Sequence, residues 1–438
     1  MTALAPADAA MFWQSRLHGN DQFLLYCFAV VDDQDDPVAG LAARAATIPD
    51  LGLRVAPVLA ELNYPRWMPA PVDAGRFRRH RTARSYAEVL AELAALMSDR
   101  LDATRSCWRL HLFDPVPAAP GLTDPGLTDP GLTGPAPAAQ MRVVVLQVSH
   151  ALADGRRAAD LARALLGGGG APAPAGVATC APGPVAPVTG LLSAGGRLAA
   201  ALALGTAAWR RERREQAEPP PALAGSPTAG PDSGRRELST VTVEAAVLRR
   251  GGVPVTAGAL AVLAEVLPEY VGGPAGAVEL AVGRSPDRRA RNNFHTAGIP
   301  LHAEIGDRAE RAAAIAGEVA AARRRDGLPS AVQARRAAAW TPAPLAALGI
   351  RLGAAAPPPA TVTGAAVVSS VDRGPADLTL CGGEVLFTAG FPALSAAHAL
   401  TLGVHGIGDA VTLAITCDPI RTAGADRLNS LLWEALGA

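Results

Sequence analysis

Three tracts rich in proline and glycine, at residues 115–139, 167–187 and 218–234, outline any fold this 438-residue chain can adopt. The first contains GLTDPGLTDPGLTGP, a five-residue unit repeated almost three times. Proline removes a backbone donor and fixes φ, so neither a helix nor a central strand runs through such a segment. The first tract is therefore expected to be an expanded loop between two strands, at 108–113 and 141–149. The other two bracket a helical stretch, 190–216, which carries the basic run WRRERRE. The predicted organisation is an N-terminal part (1–166), a connector (167–234) and a C-terminal part (235–438). This length suits two or three domains, and a hydrophobic content of 49% is enough to fill their cores.

Each half mixes the two kinds of element. In the first, 24–31 reads as a strand, and 86–100 has helical spacing with Tyr86, Leu90, Leu93 and Met97 on one face. In the second, 257–266 and 308–325 read as helices, and 278–282, 298–303, 365–371, 400–406 and 410–417 as strands. Alternating elements in two similar halves predict an α/β protein of two layered lobes.

Composition excludes several chemistries. All 40 basic residues are arginine and the chain has no lysine. That leaves no Schiff-base lysine, no GxxxxGK[ST] phosphate loop and no kinase-type lysine. The abundance of Ala, Arg, Gly and Pro fits a GC-rich coding bias, which accounts for part of the missing lysine. The 40 acidic residues bring the formal net charge to zero, which argues against a nucleic-acid partner. Five scattered cysteines without a CxxC pair, and histidines without HxxxH or HExxH spacing, predict no disulfide framework and no metal site. A reducing cytosol is the expected setting. The opening MTALAPADAAMFWQSR lacks a basic segment followed by an apolar run, so no secretory signal is expected. No uninterrupted apolar span of about 20 residues is evident, so no transmembrane helix is expected either.

One constellation carries chemistry. MRVVVLQVS (141–149) is a run rich in valine, the pattern of a buried strand. It leads directly into His150, Ala151, Leu152, Ala153, Asp154 and Gly155, and then into the helical segment GRRAADLARALL. An HxxxDG pattern arises by chance on the order of 0.05 times in a chain of this composition. Two readings are open. In one, Asp154 is an N-cap, Gly155 allows tight packing and His150 is a satisfied core histidine. In the other, a neutral imidazole at the strand end acts as general base towards a hydroxyl. Asp154 then pairs with an arginine and braces the turn, and Gly155 leaves room for substrate. The chain has no GxSxG elbow, and Ser149 should point away from His150, so transfer without a covalent enzyme intermediate is expected.

HxxxDG after a core strand, in a chain of two α/β halves, resembles the CoA-dependent acyltransferase superfamily. Further segments resemble the bacterial wax ester synthase/diacylglycerol acyltransferase family, in the right order and over nearly the whole chain. LAPADAAMFW (4–13) is similar to its LSPLDAMF opening, and LDATRSCWRLHL (101–112) to its LDRSRPLWELHL segment. ELAVGR (279–284) resembles its PVSLR strand. Asn293 with GDRAER (306–311) resembles its GN…DPxER pattern, and VSSVDRGP (368–375) its SNVPGP segment. TCDP (416–419) followed by DRL (426–428) is similar to its C-terminal end. There are departures. Ser149 replaces the first of two adjacent histidines, and Ser106-Cys107-Trp108 replaces PLW. Thr256-Ala257 replaces an asparagine-aspartate pair, and Ser370 replaces the asparagine of SNVPGP.

The resemblance implies two chloramphenicol-acetyltransferase-like lobes forming a V, with a substrate tunnel between them that His150 faces. It implies an acyl-CoA-dependent O-acyltransferase that transfers a fatty acyl group to diacylglycerol or a long-chain alcohol. Acyl-CoA would be a co-substrate and no cofactor would be resident. His150 would be the base and Asp154 structural, with Arg284 as its partner. Gly155, Ser370 and Trp108 would lie along the substrate, with a donor near Ser370 stabilising the oxyanion. Two other functions are weighed: acylation of a polar natural product or cell-envelope lipid, and non-catalytic acyl-chain binding. The arginines at 76–84 read as a solvated face or as a site for CoA phosphates or anionic lipid. The 191–214 helix reads as an inter-lobe connector or as an interfacial helix at a membrane or lipid-droplet surface.

Overall fold

A computed structural model describes all residues except 1, 32–35, 119–139, 168–185, 216–223, 226–227, 286–288, 360 and 438. The GLTDP repeats and most of the second Gly/Pro tract lie outside the described residues.

Strands rich in Val, Leu and Phe build two mixed sheets. The first lobe contributes β1 (Gln22–Ala29), β2 (Phe77–His80), β3 (Trp108–Phe113) and β4 (Gln140–Val148). β4 is central, antiparallel to both β1 and β3. Its side chains alternate between two cores, as the period of 2 along a strand requires. Val144, Leu146 and Val148 face one core, while Val143 and Val145 face the other. Helix α1 (Pro6–Ser15) opens the chain, and α2 (Tyr86–Leu96) covers the second of these faces. Helix α3 (Gly155–Leu166) packs on the first through Ala158, Leu161, Ala162 and Leu165.

A long helix, α4 (Ala186–Glu212), leads to the second lobe. Its sheet begins with β5 (Glu237–Glu244), β6 (Ala277–Gly283), β7 (Phe294–Pro300) and β8 (Val367–Asp372). Helices α5 (Val255–Val271) and α6 (Arg308–Gly327) pack against it, and α7 (Pro329–Trp340) and α8 (Ala343–Ala355) follow. After β8 the chain crosses back. The strand β9 (Gly383–Phe391) pairs antiparallel with β1, in the sheet of the first lobe. It then returns to β10 (Leu400–Ile407), β11 (Ala410–Cys417) and the closing helix α9 (Ala425–Leu436). The second sheet runs β7-β6-β8-β10-β11-β5.

The fold is thus two-lobed and α/β, as the alternation of elements predicted. The boundary at residue 235 is modified by this crossover: β9 belongs to the first lobe, and α8 places Ala343 and Ala347 in the first lobe's core. The crossing strand went unread because GEVLFTAGF alternates only weakly and lies between loop-like segments.

Residues 186–212 form the helix expected near 190–216. Contrary to the expectation from composition, 188–212 is long and apolar enough to cross a membrane by length and composition alone, with only 6% of its most apolar window buried. Gly195 and Gly196 lie inside the helix.

Candidate active site

The strand β4 ends at Val148, and the backbone turns at once. The Ser149 amide donates to the Cys107 carbonyl (2.9 Å) and the Leu152 amide to the Ser149 carbonyl (2.9 Å). Asp154 then caps α3, its Oδ1 accepting from the Arg157 amide at 2.9 Å. His150 is held in this turn between a buried strand and a capped helix, half-buried, with its ring 5.7 Å from that of Phe294.

The second lobe clasps the turn through residues 291–294. Asn292 Oδ1 lies 3.2 Å from His150 Nδ1, and Asn292 Nδ2 donates to the His150 carbonyl at 2.7 Å. The same amide nitrogen donates to Asp8 Oδ1 at 3.0 Å. Asp8, on α1, also accepts from the backbone amides of Arg291 and Asn292 at 3.0 Å. Beside it, fully buried Asp50 accepts from Arg157 (2.6 Å) and Arg291 (2.8 Å). The Arg291 guanidinium lies 4.7 Å from the Trp67 ring centroid, and the Arg291 carbonyl accepts from the Asp154 amide (3.2 Å). Gln22 of β1 donates to the Ala153 carbonyl at 2.6 Å. The turn is therefore tied down on three sides.

Burial governs the titration here. Desolvation pulls the His150 imidazole below its ordinary 6.5, against the Asn292 bond and the Asp154 charge, which act the other way. A neutral ring at neutral pH follows. Desolvation also pushes Asp8 up to about 6, against the bonds it accepts from Asn292 and Arg291. Among the described residues, His150 Nε2 has no protein partner. The site can therefore present an unprotonated imidazole nitrogen to a ligand.

The other expected site residues are distributed differently. Arg284 does not pair with Asp154: its guanidinium engages Asp326 at 2.8–3.1 Å and the Phe294 carbonyl at 2.5 Å. Asp154 uses its second oxygen on the Asn293 amide (2.8 Å), so a backbone donor replaces the expected arginine. Trp108 is fully buried, packed edge-on against Phe77, with its indole N–H donating to the Leu51 carbonyl (2.8 Å). It is a core residue, because β3 is an inner strand of the first sheet. At Gly155 a Cβ would lie 3.1 Å from Val371 Cγ2, so the missing side chain makes room for Val371 of β8. Ser370 lies on that strand, its hydroxyl hydrogen-bonded to Thr256 Oγ1 (2.7 Å). These two residues are the replacements noted in the sequence, and they meet each other. In the basic run, Arg76 is not on a solvated face: it is buried, 5.3 Å from the Trp108 ring centroid, donating to the carbonyls of Leu51 and Pro71.

Asp8, Asp50, Arg291, Asn292 and Gln22 were not singled out from the sequence. Asp8 stands inside the LAPADAAMFW segment, where it was read only as part of a resemblance. Of the Asn292–Asn293 pair, only Asn293 was noted. Asn292 is 142 positions from His150 and 284 from Asp8, and no local pattern reports contacts at that separation.

A cavity of about 810 Å³ opens between the lobes on the α2 side of the first sheet. Tyr86, Leu90, Leu238, Phe387 and Trp433 line it, with Arg236 also on its wall, and His150 is not among its lining residues.

No protein-family model matches the chain, and no curated protein matches it. Solved structures do. The wax ester synthase/diacylglycerol acyltransferase from Marinobacter aquaeolei VT8 superposes with a TM-score of 0.62 at 20% identity, over 100% of this chain and 98% of that one. The first condensation domain of the calcium-dependent antibiotic synthetase, in complex with a substrate analogue, gives 0.55 at 13% identity, over 99% and 96%. A variant starter condensation domain of rhizomide synthetase, in complex with C8-CoA, gives 0.54 at 14% identity, over 99% and 93%. Over its whole length, therefore, this chain has the two-lobed fold shared by the wax ester synthase/diacylglycerol acyltransferase and the condensation domains.

Proposed function

We propose that this chain is an acyl-CoA-dependent O-acyltransferase with His150 as general base. The observation that carries this reading is the His150 turn: a neutral imidazole clasped at the end of a core strand, with Nε2 unbonded among the described residues. Nε2 takes the proton from the acceptor hydroxyl as the oxygen attacks the thioester carbonyl. The C–O bond forms, the C–S bond breaks, and the imidazolium returns the proton to the departing CoA thiolate. No group beyond the two substrates is required. Asp154 acts through the backbone, by keeping the turn and Asn293 in place. A tunnel between the lobes, forming a V, would bring the two substrates to His150 from separate mouths, with the Ser370–Thr256 hydroxyl pair as the candidate oxyanion donor.

The acceptor we favour is a lipid alcohol, diacylglycerol or a long-chain alcohol. The support is an exposed apolar surface. Leu191, Leu192 and Leu202 of α4 are 63%, 80% and 63% exposed, and Leu59 and Leu352 lie at 76% and 63%. These elements adjoin: a Cβ on Gly190 would meet the Leu62 carbonyl at 2.1 Å, and Arg351 of α8 pairs with Glu61. Exposed Arg210 and Arg211 follow at the end of α4. An apolar helix ending in arginines suits contact with an anionic lipid surface, which would place a cytoplasmic enzyme against the inner membrane face or a lipid droplet.

The test is CoA release by purified protein, with long-chain and acetyl donors against diacylglycerol, hexadecanol and polar alcohols. We expect turnover with a lipid alcohol and a fall of at least about 100-fold in His150→Ala. Turnover with polar alcohols alone would favour a natural-product or envelope acceptor. No release with any pair, and no effect of His150→Ala, would leave only acyl-chain binding.

A further inference from the structure

We propose that Asn292 is the positioning residue of His150: its amide oxygen accepts from Nδ1–H and so holds the ring in the tautomer whose Nε2 is free of a proton. Two acceptors fix the orientation of the Asn292 amide. Asn292 has two oriented acceptors near one end of its amide, Asp8 Oδ1 at 3.0 Å and the His150 carbonyl at 2.7 Å. A carboxylate and a carbonyl can only accept, so this end must be the NH₂ group. The amide oxygen then faces His150 Nδ1 at 3.2 Å, and an oxygen there is satisfied only by a proton on Nδ1. Asp8 locks the orientation from behind. Its two oxygens accept from the backbone amides of Arg291 and Asn292 as well, so the amide cannot flip without setting its oxygen against a carboxylate. Asp8, Asn292 and His150 thus form a directed chain across the two lobes. Each of its members is supplied by a different element: α1, the segment before β7, and the turn after β4.

The same chain explains how the two lobes are coupled to the chemistry. The fold gives His150 no carboxylate of its own on Nδ1, because Asp154 is committed to the α3 cap and to the Asn293 amide. The second lobe must therefore supply the orienting group. A neutral amide in that place orients the ring without raising its basicity as a carboxylate would.

The kinetic arm of the test rests on the acyltransferase reading; the spectroscopic arm does not. ¹⁵N-histidine NMR of the full chain, with the His150 signal identified by its loss in His150→Ala, should show the proton of the neutral ring on Nδ1. Asn292→Ala should shift the population towards the Nε2–H form that free imidazole side chains prefer, and lower kcat by about tenfold or more with little change in KM. The double exchange Asp8→Asn/Asn292→Asp keeps a donor between positions 8 and 292 and an oxygen facing Nδ1, while the His150 carbonyl gives up its donor. It should restore the Nδ1–H form and move the acid limb of the kcat profile to higher pH, since a carboxylate now adjoins the ring. A proton on Nε2 in the parent, or an unchanged tautomer in Asn292→Ala, overturns the proposal. If Asn292→Ala does not fold, the parent spectrum and the double exchange decide it alone. If no substrate pair is turned over, the acyltransferase reading fails while the tautomer result still judges the role of Asn292.

Discussion

Asp154 shows how much one side chain can settle. One oxygen caps α3 and the other holds the Asn293 amide of the opposite lobe. Losing a cap costs about 1 kcal/mol, and orphaning a buried amide about 1–3 kcal/mol more. Asp154→Ala should therefore destabilise the fold by about 2–4 kcal/mol in urea denaturation, and Asp154→Asn, which can still accept, by clearly less. His150 itself should show in the pH dependence of kcat/KM: its neutral form is the active one, so activity should rise through a midpoint below 6.5 and stay level at neutral pH. A midpoint at or above 6.5 would contradict a desolvated ring. Away from the site, buried Asp21 accepts from the Leu101 amide and from Gln147, which also accepts from His111. Burial pushes Asp21 up to about 6 from 3.8, and pulls His111 down to about 4 from 6.5. The signs are opposite. The proton on Asp21 favours the folded chain below about pH 4, and this contribution is lost as pH rises through about 6; neutral His111 favours it above 6.5, and this is lost as pH falls through about 4. Asp21→Asn removes the first effect. Its stability cost relative to the parent should shrink between pH 4 and pH 7, by on the order of 2 kcal/mol, as measured by urea denaturation across that range. The identity of Asp154 as a cap was legible at this scale, because capping is local. The loss of Arg284 to Asp326 was not, because nothing in ELAVGR says which of several carboxylates the guanidinium will reach.

At the scale of elements, the strong patterns were the ones that folded as read. GRRAADLARALL forms α3 at Gly155–Leu166, and β11 spans 410–417 as expected. The long α4 was readable as a helix, but its partner was not, since alanine and leucine lie all round it and no single stripe marks the packed face. The structure shows that face through Arg197, which donates to the Ala339 carbonyl and lies 5.2 Å from the Tyr64 ring centroid. Leu191, Leu192 and Leu202 are left outside. The triple variant Leu191→Ser/Leu192→Ser/Leu202→Ser should keep its thermal stability within about 1 kcal/mol, because exposed positions contribute little. It should bind phosphatidylglycerol-containing vesicles markedly less in a flotation assay. Unchanged flotation would remove the lipid-surface reading of α4.

At the scale of the whole molecule, the crossover strand β9 binds the lobes. It pairs with β1 in one sheet and meets β10 of the other so closely that a Cβ on Gly403 would lie 2.1 Å from the Gly390 carbonyl oxygen. Arg373, buried at 3% exposure, reaches across to the first lobe, where it donates to Thr388 and to the Leu25 carbonyl. Gly403→Ala must push backbone against backbone and should cost about 3 kcal/mol or more in urea denaturation, whereas alanine at exposed Gly349, which meets nothing within 4 Å, should cost little. By itself the sequence determined the elements and the turn that carries His150, because periodicity, capping and β-branching act over a few residues. It also determined which chemistries were out of reach, since a chain without lysine cannot use one. Only the tertiary structure decided which groups surround that histidine. Asp8, Asn292 and β9 come from parts of the chain far apart in sequence, and contacts across such separations follow from packing and not from any local pattern.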